Sequence, residues 1–173
     1  SEAYNSLDTK SMKDSPAHIV LNAPVELSLD IASVLLSLGW QADHLHDGSR
    51  LSPVTGRDTI SVLCDESEHI TARIAPNTVL DNYAILALIA ADIGAPAAAL
   101  PLETDPALEA YLAEAGIECI SAPEEAASRR RFAADRGVYR EMLHEPAMII
   151  LKLCEMYSRG VLSTAFELLP ESH

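Results

Sequence analysis

The 173-residue chain has only two Phe and one Trp. Its interior must therefore be aliphatic, built from Leu, Ile, Val and Ala. Basic residues are also scarce: 12 Lys and Arg stand against 26 Asp and Glu, for a formal charge of −14. Such a surface repels phosphate backbones and anionic headgroups, which excludes nucleic acid and membranes as partners. Three cysteines, Cys64, Cys119 and Cys154, are widely spaced and form no CxxC pair, so neither a zinc knuckle nor a redox pair is indicated. Cys64 and Cys119 lie in apolar runs and read as free thiols of a reducing compartment, which points to the cytoplasm. The longest apolar stretch, Val79 to Ile93, is broken by Asp81 and Asp92. It falls short of the ~20 residues a membrane helix needs.

The common phosphate and hydrolase motifs are missing too: there is no GxxxxGK, no GxSxG elbow and no HExxH helix. The turn Asn22-Ala-Pro24 has no glycine, so it offers no dinucleotide cradle. Residues 1–15 are polar and mixed in charge, unlike a secretory leader. They read as a polar tail or linker, and a first residue other than Met fits a chain cut from something longer.

What is present is a unit that occurs twice. His18-Ile-Val-Leu-Asn-Ala is a short apolar run. Leu27, Ile31, Val34, Leu35 and Leu38 then follow at helical spacing, and Gly39 stops the helix. Gln41 to Leu45 alternates weakly, as a second strand would. The pattern returns with Ala97 to Pro101, the cap Asp105-Pro106, the stripe Leu108, Tyr111, Leu112 and Ala115, the stop Gly116, and Ile117 to Ile120. Strand–helix–strand units of this kind join parallel strands by right-handed crossovers. The expected class is α/β, with mostly parallel sheets in two consecutive subdomains, 16–94 and 95–173.

Between the units, Thr59 to Cys64 reads as a strand, His69 to Ile74 as its antiparallel neighbour, and Val79 to Ile93 as a buried helix. Beyond them come a polar helix over 123–136, a short strand at Gly137 to Arg140, and a strong helix over 146–157. A capped last helix runs from Ser163 to Leu169. The 146–157 helix is apolar on more than one side, which fits core packing or, failing that, a partner interface.

Several clusters invite chemistry. His44 and His46 on a strand place two imidazoles on one face, with Asp47 next in sequence; such a pair can begin a metal site. Without a third ligand a polar surface is the plainer reading, unless His69 with Glu66 and Glu68 comes close in space. Asp65 and Glu68 as an acid–base pair are better explained as solvated carboxylates. Gly48-Ser-Arg50 reads as an exposed turn, with an anion site the alternative. Arg129-Arg130-Arg131 reads as a solvated helix face, with a local phosphate or carboxylate site the alternative.

The order of these pieces resembles the second and third domains of the phosphohexomutases, the phosphomannomutase and phosphoglucomutase family. The resemblance is carried by Ile149-Ile-Leu-Lys-Leu-Cys-Glu-Met-Tyr157, Gly160-Val-Leu-Ser163, Glu167-Leu-Leu-Pro170 and the stretch from Pro101-Leu-Glu-Thr to Gly116-Ile-Glu-Cys-Ile. It covers residues 16–173. The family's second domain holds Mg²⁺ in a D-G-D-G-D-R loop, where carboxylates converge on a hard cation. The matching stretch is Cys64-Asp65-Glu66-Ser67-Glu68-His69. The resemblance thus implies Asp65, Glu68 and His69 as candidate metal ligands and Mg²⁺ as a possible cofactor. Ser67 replaces the middle aspartate, and the glycines are gone. The family's sugar loop falls at Asp135 to His144, where only a Gly and a terminal His match. The phosphoserine and final phosphate-binding loops have no counterpart.

The resemblance implies a degenerate, non-catalytic domain pair that binds a sugar phosphate or regulates, within a larger nucleotide-sugar or sugar-phosphate protein. The rival expectation is an interaction or homo-oligomerisation module on the same scaffold. A mutase completed by other chains is the third.

Overall fold

The computed structural model describes residues 2–46, 50–54, 56–101 and 105–162. Its elements are α1 (Glu2–Asn5), α2 (Thr9–Asp14), β1 (His18–Asn22), α3 (Val25–Ser37), β2 (Gln41–Leu45), β3 (Thr59–Cys64), β4 (Ile70–Ala75), β5 (Thr78–Leu80), α4 (Asn82–Ile93), β6 (Ala97–Pro101), α5 (Pro106–Glu114), β7 (Glu118–Ala122), α6 (Ala126–Asp135), α7 (Glu141–His144) and α8 (Pro146–Ser158). The class is α/β. One five-stranded sheet has the order β2-β1-β3-β4-β5, and a second pairs β6 with β7.

Both strand–helix–strand units form. β1 lies parallel to β2 through the α3 crossover, and β6 lies parallel to β7 through α5. The first sheet is mixed: β3 joins β1 in parallel, but β3–β4 and β4–β5 are antiparallel. The two-residue turns Pro76-Asn77 and the tight loop after Cys64 make hairpins, which can only join antiparallel strands.

Three expected elements differ. Residues 2–14, read as an unstructured tail, carry α1 and α2 and seat Leu7 and Met12 in the core. Asp8 caps α2 by accepting from Ser11 N at 3.0 Å, a signal that the polar composition hid. The helix expected from Val79 begins only at Asn82, because Asp81 accepts from Ala84 N at 2.8 Å as its N-cap; Thr78–Leu80 is instead a strand. Residues 137–140 form no strand; Gly137, at φ 69°, ends the turn after α6, and the chain leads into α7. The last expected helix, Ser163 to Leu169, lies outside the described residues.

One apolar cluster draws on both repeats, from Ile19, Ile60 and Ile85 to Leu100, Leu112 and Leu153. Helix α8 is its hub: it packs against α2, α3, α4, α7 and β4, which explains its apolar residues on more than one side. Its polar residues are buried too. Lys152 Nζ pairs with Asp92 at 2.7 Å and Glu155 at 2.9 Å, Arg159 pairs with both carboxylates, and Glu155 accepts from Asp8 N at 3.0 Å. Two cations and two carboxylates thus balance, and the network ties α2, α4 and α8 together. Burial pushes Asp92 up, but hydrogen bonds from Lys152 and Arg159 outweigh it and hold the carboxyl below its usual range. No helix among the described residues is long and apolar enough to cross a membrane.

Candidate functional site

The loop after β3 is organised by Asp65. Its Oδ1 accepts from Ser67 N at 2.8 Å and His69 N at 3.0 Å, and its backbone pairs with His69 O and Glu68 N. This is an Asx-type turn, and it holds Glu68 at φ 62°. Glu68 is thereby aimed across to α6, where its Oε2 accepts from Arg130 Nη2 at 2.5 Å. The His69 ring lies edge-on to Tyr83 at 6.0 Å.

Each of the three candidate ligands therefore has a task within the protein. Asp65 holds the turn, Glu68 neutralises Arg130, and His69 packs on an aromatic ring. Among the described residues no three His, Cys, Asp or Glu side chains are grouped to hold a metal ion. A hard cation such as Mg²⁺ requires several converging oxygens, so this donor set does not fit it.

The loop does border a groove of ≈ 630 Å³, lined by Glu66, Glu68, His69, Glu124, Glu125 and Arg130. Residues 66–69 follow the carboxyl end of β3, and 124–127 follow that of β7. Ligands of open α/β sheets bind at such ends. Helix α6 begins there, and the side chain of its N-cap residue, Glu125, makes no capping hydrogen bond.

Behind the groove, α4, α6 and α7 meet in a polar seam. Arg130 also faces Glu145 at 3.8 Å, and Glu145 accepts a short hydrogen bond from the Tyr139 hydroxyl. The Tyr139 ring stacks on His144 at 5.3 Å and 13°. Arg129 donates from Nη1 to Glu124 O at 2.7 Å. Six buried side-chain polar atoms lack a hydrogen-bond partner among the described residues, and four belong here: Tyr83 Oη, Arg129 Nε, Arg130 Nε and His144 Nε2. Each would cost about 1–3 kcal/mol if left unsatisfied.

The electrostatics agree. Burial, then Arg129 and Arg130, push His144 down to about 4, so its imidazole is neutral at pH 7. Burial also raises the Tyr83 hydroxyl and lowers Arg129. Burial, then the bond to Glu145, holds the Tyr139 hydroxyl far above its usual range. The seam thus offers neutral hydroxyl and imidazole groups beside two guanidinium ions.

The other sequence candidates lie apart from the groove. His44 and His46 meet each other at the end of β2, and Asp47 lies outside the described residues. Of the turn Gly48-Ser-Arg50 only Arg50 is described; its carbonyl accepts from Asn22 Nδ2 at 2.8 Å. Arg131 donates to Ser128 Oγ at 3.4 Å. Cys64 and Cys154 are raised to about 12, chiefly by burial, and are poor nucleophiles. The run Arg129-Arg130-Arg131, expected as a solvated helix face, instead has Arg129 buried and Arg130 paired with Glu68 and Glu145; Tyr83, Tyr139 and Glu145 carry no local motif. No protein-family model and no curated protein sequence matches the chain.

Proposed function

We propose that the chain is a degenerate phosphohexomutase-like domain pair that binds a sugar phosphate without turning it over. The observation that carries this reading is the groove at the carboxyl ends of β3 and β7, with Arg130 at its wall and unsatisfied donors behind it. Guanidinium and helix N–H groups match a phosphate, and glutamates match the hydroxyls of a sugar ring. Asp65 is committed to its turn, which favours binding over catalysis. The reading also makes the chain one part of a larger cytoplasmic sugar-phosphate protein.

The test is a thermal-unfolding titration with hexose 1-phosphate, hexose 6-phosphate, free hexose and inorganic phosphate. One hexose phosphate should stabilise the parent by RT ln(1 + [L]/Kd), about 2.7 kcal/mol at a hundredfold excess over Kd. Arg130→Gln should remove the effect. A flat response across the panel refutes the reading.

A second reading, the interaction or oligomerisation module, is favoured by helix α3. Val25, Leu29 and Leu36 are 51%, 53% and 58% exposed. They run at spacings of four and seven along one exposed face, while Ala32 between them is buried. A dimer weakened by Leu29→Glu, alongside a flat ligand response, would favour it.

A further inference from the structure

We propose that His44 and His46 form a two-histidine site for a divalent transition metal at the exposed carboxyl end of β2. The inference is independent of the sugar-phosphate reading, because the groove and this strand end share no residue.

The geometry begins with the strand. His44 lies in β2 and His46 one residue past its end, and the two imidazoles meet on one side. Both are exposed, and their ring centroids lie 5.1 Å apart. His44 Nδ1 and His46 Nε2 approach to 3.2 Å. Two imidazole nitrogens on one tetrahedral Zn²⁺, each at ~2.0–2.1 Å, stand about 3.3–3.4 Å apart. The pair therefore already has the spacing of two ligands on one ion.

The second shell is also in place. His46 Nδ1 lies 3.1 Å from Ala23 O. A carbonyl can only accept, so in the neutral ring Nδ1 carries the proton and Nε2 presents a lone pair. A ligating histidine commonly donates its other N–H to a backbone carbonyl, which fixes both tautomer and ring orientation. In the apo protein the His46 lone pair accepts from His44 Nδ1–H. On binding, that proton moves to His44 Nε2, both lone pairs turn to the metal, and water completes the coordination. Imidazole suits Cu²⁺, Ni²⁺ and Zn²⁺, with Cu²⁺ tightest, and is a poor ligand for Mg²⁺ or Ca²⁺.

The test is a calorimetric titration of the full chain with Cu²⁺, Zn²⁺ and Mg²⁺, with EPR of the Cu²⁺ form to count nitrogen ligands. One equivalent of Cu²⁺ should bind more tightly than Zn²⁺, Mg²⁺ should not compete, and the EPR spectrum should show two equatorial nitrogens. His44→Ala and His46→Ala should each weaken binding at least about tenfold. His18→Ala is the control: His18 pairs with Asp43 at 2.7 Å and should leave binding unchanged. Both target rings are exposed, so the variants should keep the parent's far-UV spectrum. Equal Cu²⁺ and Zn²⁺ affinity in the double variant and the parent would overturn the proposal and assign the metal to the acidic surface. An absence of binding below millimolar metal would overturn it too.

Discussion

The His144 imidazole offers a measurement in which the seam's electrostatics become a stability change. It is 7% exposed, stacked on Tyr139 and faced by Arg129, Arg130 and Glu145. Its folded pKa of about 4 lies below the ordinary imidazole value of 6.5, so the native state binds the proton less tightly than the unfolded chain. Between those pH values the unfolded state carries more protons, and stability rises with pH. The contribution is fully present above pH 6.5 and is lost as pH falls toward 4. Linkage gives a loss of about 2 kcal/mol between pH 7.5 and pH 5 from this group alone. For a chain of this size that is roughly 4–8 °C in Tm. His144→Gln removes the titration while leaving the other acidic and basic groups to contribute equally to both proteins. Urea unfolding of both across pH 5–7.5 should show the parent losing about 2 kcal/mol more than the variant. Parallel curves, or a folded His144 that titrates by NMR at 6.5 or above, would refute the burial and two-arginine argument together.

Lys152→Met removes one cation from the buried network and leaves Asp92 and Glu155 with Arg159 alone. It should cost about 3–5 kcal/mol by denaturant unfolding; a cost below 1 kcal/mol would mean that water reaches these groups. Asp65→Asn keeps an Oδ1 acceptor for Ser67 N and His69 N, whereas Asp65→Ala loses it. Alanine should therefore destabilise by about 1–2 kcal/mol more than asparagine, and millimolar Mg²⁺ should shift the Tm of neither variant nor parent.

Where the chain writes a fold locally, the sequence was readable. The two strand–helix–strand units carry their own stops: Gly39 and Gly116 both adopt positive φ, at 84° and 77°. Asp105 caps α5 by accepting from Ala107 N at 2.9 Å, as the Asp-Pro pair implied. The failures have a shared cause. Asp81 looked like a flaw in an apolar run but is the cap that divides a strand from a helix. Leu7 and Met12 are too few to stand out among polar neighbours, yet α8 gives them a surface to cover. The antiparallel β3–β4 pair was legible as two neighbouring apolar runs, whereas β5 was hidden at the head of the expected helix.

The groove was hardly legible, for a reason of distance along the chain. Glu68 and Arg130 are 62 residues apart and touch only because α6 lies beside the β3–β4 loop. A motif reports residues that a single turn or strand brings together. Read that way, Asp65, Glu68 and His69 resembled a degraded cation loop. In space the same three residues serve a turn, an ion pair and a ring contact with partners on α4 and α6. His44 and His46 show the opposite case. Their i, i+2 spacing was plain in the sequence and equally compatible with an inert surface. The structure adds the 3.2 Å between two nitrogens and a carbonyl placed to fix one tautomer. Spacing proposes a site, and the hydrogen-bond partners of each candidate atom decide whether its lone pair is available.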